Sequence, residues 1–288
     1  MTTARMPFLV VTLGVFLLSI MDALIKIVAT DYPTAQIVGM RFLCGLPWAV
    51  LVVLWLRPAW PTADMLRAHV FRGFVVVITA SLFFYALAKL ELAEAIALSF
   101  LAPLFLAVLA ALILRERISP RVFGAIIAGF IGMGVILWGK AIGGNVTDAR
   151  LWGAAAAIAC AFTYAANLVL LRKRAQTDPL ALIVLFQNLF PLLIVSPFAL
   201  AVWVEPKPEA WFLFAGIGAL GIAGHSCMAW GFARANAGPL GVIEYTALIW
   251  GAGLGFAFFG EVPAWTTWAG AGLIVAACLL VARGKTAS

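Results

Sequence analysis

Apolar residues run along this chain in ten long stretches, at about 7–29, 35–56, 69–88, 92–114, 121–139, 150–171, 179–202, 210–233, 239–259 and 264–283. Continuous runs of this length predict α-helices that cross a bilayer, since a crossing takes roughly 20 apolar residues. A membrane barrel would show short alternating segments instead. The breaks carry turn or charge signals: Asp31 to Pro33, Arg57 to Pro61, Arg115 to Pro120, Gly143 to Asp148, Arg172 to Pro179, Glu205 to Pro208, and Glu261 to Pro263. The first stretch has no small-residue cleavage site at its end and is followed by nine more, so it reads as a retained helix and not a leader.

Composition agrees. Of 288 residues, 65% are hydrophobic and only 11% charged, against about 45–50% apolar and about 25% charged in a soluble domain. That excludes an ordinary cytosolic enzyme, a disordered chain and a fibrous one. Ten helices leave no stretch long enough for a soluble domain, which needs about 50 residues at least. The net charge of +7 would suggest nucleic acid in a soluble protein. Here it reads as a topology signal and no nucleic-acid partner is expected. With the N-terminus in the cytoplasm, 13 Lys and Arg fall on the cytoplasmic side and four (Lys89, Lys140, Arg150, Lys207) on the outer side. This places both termini inside, in a bacterial inner membrane. Cys44, Cys160, Cys227 and Cys278 all lie in apolar runs without CxxC or His/Cys spacing, so neither a metal nor a disulfide frame is expected.

A weak repeat appears at an offset near 145. Ser81–Tyr85–Ala88–Lys89 stands opposite Ser226–Trp230–Ala233–Arg234, Glu116 opposite Glu261, Gly139–Lys140 opposite Gly284–Lys285, and Asp22 opposite Asn167. It divides the chain into residues 1–145 and 146–288. Five helices per half is odd, so the second half runs inverted, and such repeats place a binding site near the midplane where the halves meet.

Polar groups within the spans are few because each is costly there. They are Asp22 and Lys26 in the first helix, Arg41 in the second, Asn167 in the sixth, Gln187 and Asn188 in the seventh, His225 in the eighth and Glu244 in the ninth. Asp22 and Lys26 are spaced to pair on one helix face, lining a pathway or compensating each other near the outer interface. Arg41 is expected to snorkel outward or pair with Asp31. Glu244 either binds and releases a proton or salt-bridges Lys26 or Arg41; Asp22 is the second candidate for proton coupling. His225 is either a titrating group or a structural donor.

Trp55, Trp60, Trp152, Trp203 and Trp265 read as interface anchors, while Tyr85, Tyr164, Trp230, Tyr245 and Trp250 lie deep enough to wall a cavity. Gly216–Gly218–Gly221 matches GxGxxG, but inside an apolar helix rather than after a strand. Like Gly124, Gly129, Gly132, Gly134, Gly251, Gly253 and Gly255, these glycines are expected to allow close helix packing. Asn145–Val146–Thr147 is a glycosylation sequon that matters only in a eukaryotic secretory host. No Walker motif, metal cluster or nucleophile constellation stands out, so no enzyme activity and no cofactor are expected.

Two stretches carry a family resemblance. Pro103 through LAALILRERISPRVFGAIIAGFIGMGVIL has a proline in helix four, Glu116 at its end, a polar break and a Gly-rich helix five. AWGFARANAGPLGVIEYTALIWGAGLGFAFFGEVP is the second-half equivalent, ending near Glu261. The chain resembles the drug/metabolite transporter superfamily and its EamA family in particular. The resemblance implies an all-α membrane protein of ten helices in two inverted five-helix repeats. It also implies export of small metabolites by alternating access, through a cavity lined by helices one, three, four, six, eight and nine. Asp22, Tyr85, Ser99, Tyr164, Asn167, His225, Trp230 and Glu244 fall there, and helices five and ten would be peripheral. Leu248 replaces the proline expected opposite Pro103, so the two halves need not gate alike. Within the family the chain looks most like bacterial exporters of amino acids, aromatic ones included. For a zwitterion, Asp22 or Glu244 would face the ammonium, and His225, Asn167 or Tyr164 the carboxylate. A nucleotide-sugar or phosphorylated cargo would need more cavity cations than Lys26 and Arg41. A drug-like solute and, more distantly, a membrane-embedded enzyme are the other readings. Oligomeric state stays open, a monomer included.

Overall fold

A computed structural model describes residues 6–114, 120–142, 147–175, 177–232 and 243–284. The described residues are helices joined by short turns, without strands. They are α1 (Met6–Val28), α2 (Thr34–Leu56), α3 (Ala63–Lys89), α4 (Leu92–Ser99), α5 (Ala102–Leu114), α6 (Pro120–Ile142), α7 (Asp148–Ala175), α8 (Leu180–Ala201), α9 (Pro208–Phe232), α10 (Ala247–Phe259) and α11 (Trp265–Gly284). Six of them are long and apolar enough to cross a membrane, and four shorter apolar segments supply the remaining predicted crossings. Glu116 and the start of the sequon lie outside the described residues.

Helix ends follow local chemistry. Thr62 caps α3, its hydroxyl accepting from Met65 N at 3.2 Å. Gly260, at φ 65°, ends α10 in the left-handed region.

The fourth predicted helix, 92–114, is broken at Phe100–Leu101 into α4 and α5. Pro103 lacks an N–H, and its ring crowds the carbonyl four residues back, at Ser99. Ser99 Oγ instead donates to Ile96 O at 2.7 Å. The ninth is broken too, at Tyr245–Thr246, although Leu248 stands where a proline would. There Thr246 Oγ1 donates to Ile243 O at 2.6 Å, a back-bond of the kind that bends helices. The proline-free half thus carries a break at the matching position, accompanied by a Thr hydroxyl in place of a proline. The two breaks touch, Phe100 and Tyr245 meeting edge to face at 5.1 Å.

The helices pack in pairs: α1 on α9, α3 on α7, α2 on α8, and α6 on α11. We call the end where α1 begins proximal and the opposite end distal. Glycines set the closest crossings. A Cβ on Gly218 would sit 2.7 Å from Gly45 N of α2, and one on Gly14 would sit 3.0 Å from Gly224 O of α9. Gly124, Gly134 and Gly253, expected to pack closely, instead face open space. The exposed belt is apolar, and Trp55, Trp60, Trp152 and Trp265 are exposed at helix ends, where the amphipathic indole suits an interface.

Candidate functional site

Asp22, on α1, and Arg41, on α2, each sit about two turns in from the distal end of their helix. α9 packs against both helices, and Gly221 of α9 lies between them. A Cβ on Gly221 would stand 3.2 Å from Met21 Sδ and 3.6 Å from Arg41 Nη2. The absence of a side chain at Gly221 leaves room for the guanidinium beside α9. Arg41 also sits over the Phe42 ring at 4.6 Å. One turn along α9, His225 Nδ1 bonds Gly221 O at 2.6 Å.

The expected Asp22–Lys26 pair is not made. Lys26 Nζ pairs with Glu261 Oε1 at 2.6 Å and donates to Leu90 O. Arg41 does not pair with Asp31, which binds Lys207 at 2.9 Å, and Glu244 forms no ion pair with Lys26 or Arg41. Asp22 and Arg41 act on each other electrostatically, yet among the described residues neither makes a hydrogen bond or an ion pair. Arg41 Nε is buried with no acceptor.

Further charge coupling runs inward along α7. Asp22 acts on Cys160, and Glu244 acts on Tyr164 one turn on. Tyr164 keeps 38% of its surface accessible, and Asp22, Arg41, His225 and Glu244 are half-buried. Trp250 packs on Phe16 at 4.8 Å, its Nε1 buried without a partner.

Other predicted site residues fall elsewhere. Ser99 is spent on the α4–α5 break. Tyr85 lies near the distal end under Lys89, whose Nζ is 5.9 Å from its ring. Trp230 is half-buried near the end of α9. The oxygen of Asn167 is occupied by Arg72.

That last contact belongs to a network the sequence did not reveal. Arg72 is only 2% exposed. It donates through Nε to Asn167 Oδ1 at 3.1 Å and through Nη2 to Gln187 Oε1 at 2.5 Å, with Nη1 3.2 Å from His69 Nδ1. Arg has donors only, so His69 Nδ1 accepts, and Nε2–H donates to Asp178 Oδ2 at 2.9 Å. A neutral imidazole satisfies both. Thr177 Oγ1 adds a bond to Asp178 at 2.9 Å, and Arg174 pairs with Asp64 at 2.7 Å. The network ties α3, α7 and α8 at the proximal end. Its sequence signal was the His69-x-x-Arg72 spacing, which puts both groups on one face of a helix.

The distal end is tied by Lys26–Glu261, by Glu261 Oε2 accepting from Leu92 N at 2.8 Å, and by Arg150–Glu94 at 2.5 Å. Outside the helices, the hydrogen bond and then the charge of Lys207 hold the Asp31 carboxyl below its usual range, and Asp31 raises Lys207 for the same two reasons. Among the described residues no group of His, Cys, Asp and Glu is arranged to hold a metal.

Comparison with known proteins follows this geometry. The profile of the EamA-like transporter family matches residues 5–138 and again 151–283. The pseudopaline exporter of Pseudomonas aeruginosa is 26% identical over 280 residues, 96% of this chain and 96% of that protein. The riboflavin transporter of Vibrio cholerae is 29% identical over 224 residues, 76% of this chain and 72% of its own. That of Rhizobium johnstonii is 29% identical over 254 residues, 86% and 79%. A solved crystal structure superposes with a TM-score of 0.65 at 23% identity, covering 94% of this chain and 97% of its own.

Proposed function

The chain belongs to the EamA-like transporter family, and from that premise we propose that it exports small metabolites, amino acids above all, from a bacterial cytoplasm by alternating access. It is an integral membrane transporter of that family. The observation that supports the finer reading is a set of half-buried charges: Asp22, Arg41 and Glu244 make no hydrogen bond or ion pair among the described residues, at a depth where an idle charge is costly. A small solute with its own charges makes use of such groups.

Two inverted halves support the rocking motion this requires. A shift of 145 residues exchanges the α1–α9 contact with α7–α3, returns α2–α8 and α6–α11 to themselves, and carries the break at Phe100 onto that at Tyr245. The 13-to-four bias of Lys and Arg supports a cytoplasmic proximal end and an inner-membrane location. The relatives named for pseudopaline and riboflavin favour another metabolite as the second reading.

Counterflow into proteoliposomes loaded with mixed unlabelled amino acids tests the reading. Labelled alanine, threonine, methionine and phenylalanine are offered outside, with empty liposomes alongside. Accumulation of any of them supports it. No accumulation by monodisperse, folded protein refutes the amino-acid cargo. Glu244→Gln tests coupling: unchanged pH dependence of transport removes Glu244 from a proton role.

A further inference from the structure

Arg41 is the deep charge the sequence assigned to snorkelling, and the structure gives it another place. Its guanidinium points along α9 at Gly221, beside the aromatic face of Phe42 and one turn from His225. Nε is buried without an acceptor. Asp22 follows Met21, which meets the same Gly221 from α1, and it too lacks a partner among the described residues. An aspartate and an arginine in a bilayer would gain most by closing into a direct pair. The structure makes none between them, and α9 packs against both α1 and α2.

We propose that Asp22 and Arg41 form the head-group receptor for a dipolar solute, Arg41 taking a carboxylate and Asp22 an ammonium carried by the same small molecule. Guanidinium donors match a carboxylate two at a time, and Nε with a neighbouring Nη is such a fork. An ammonium needs acceptors only, which a carboxylate supplies. The receptor is neutral overall, so a neutral zwitterion completes it without adding net charge to a medium that resists charge. A bare amine or a bare carboxylic acid would satisfy one side and leave the other exposed. This assignment rests on the transporter reading above and specifies its site.

The test uses purified protein in proteoliposomes. Counterflow of the same four labelled amino acids is competed with the unlabelled parent, its carboxamide (no carboxylate) and its deamino acid (no ammonium). Truncating one partner of a desolvated charge pair costs enough that each half-analogue should compete roughly 30-fold or more weakly than the parent. Arg41→Gln should cease to distinguish parent from carboxamide, and Asp22→Asn parent from deamino acid. Arg41→Lys should retain part of the discrimination. If the wild-type protein accepts both half-analogues as well as the parent, the proposal is overturned, and that arm needs no variant to fold. Wild-type transport in both Arg41→Gln and Asp22→Asn overturns it equally. In either case amino-acid transport itself still stands; absence of any amino-acid counterflow removes both.

Discussion

Replacing Arg72 with Ala is the sharpest probe of the proximal network. The change strips donors from three acceptors, two buried and Gln187 half-buried: Asn167 Oδ1 at 3.1 Å, Gln187 Oε1 at 2.5 Å and His69 Nδ1 at 3.2 Å. Side-chain hydrogen bonds in membrane helices average about 0.6 kcal/mol, so these three alone are worth about 2 kcal/mol. Asp178, 9% exposed, also loses the nearby cation, keeping His69 and an Arg174 contact at 3.9 Å. Uncompensating a buried charge costs about 3–5 kcal/mol, though Arg174 remains to soften it. The loss should therefore fall at about 2–5 kcal/mol, or roughly 4–20 °C in melting temperature at about 2–4 °C per kcal/mol. Arg72→Lys should recover less than half, since an ammonium cannot present a planar fork to several acceptors at once. The assay is thermal unfolding of detergent-purified protein followed by tryptophan fluorescence. An Arg72→Ala melt within about 2 °C of wild type, below the weakest of these sums, would refute the claim that this network holds α3, α7 and α8 together.

Three further outcomes follow. Gly132→Ala places a Cβ 2.7 Å from Gly270 O and should lower the melting temperature by prying α6 from α11. Gly134→Ala meets nothing and should be neutral or stabilising by up to about 1 kcal/mol; equal effects of the two in thermal melts would contradict the packing. The Asp31 carboxyl is held below its ordinary 3.8, so its contribution exists above that value and fades as pH falls through the lowered one. Lys207 is raised above its ordinary 10.5, so its share exists below 10.5 and fades as pH rises through the raised one. The melting difference between wild type and Asp31→Asn should accordingly be small and flat from neutral pH to about pH 9, then vanish in acid; a difference that grows on acidification would contradict the sign. Thr246→Val removes the 2.6 Å bond to Ile243 O and should slow counterflow without lowering the melting temperature, whereas wild-type rates would show that the break at Tyr245 does not depend on the hydroxyl.

Much of the architecture was legible along the chain. Ten apolar runs and their Pro, Gly and charged breaks marked the helices, since a bilayer demands contiguous local stretches. Asp22, His225 and Glu244 stood out because polar groups at depth are rare, and Tyr164 as an aromatic far from the helix ends; all four are half-buried or accessible within the helices. Arg72 and His69 were hidden for the opposite reason. They lie near a predicted helix end, where an exposed cation is ordinary, and only folding shows Asp178, Gln187 and Asn167 converging on them. Arg41 was visible as a charge but not as a site residue, because its surroundings come from α9.

Local order along the chain thus decides which segments become helices and which polar groups each must carry into the membrane. Partnership is a different matter. Lys26 has Asp22 one turn away on its own helix and binds Glu261 instead, and Asp31 takes Lys207 rather than Arg41. Which face of each helix meets which neighbour depends on rotation and tilt. Those are set where backbones cross closely, at Gly132 with Gly270, Gly218 with Gly45 and Gly14 with Gly224. A glycine's place in the sequence does not reveal which helix will come to lie against it, so the partners each buried charge finds belong to the packed bundle.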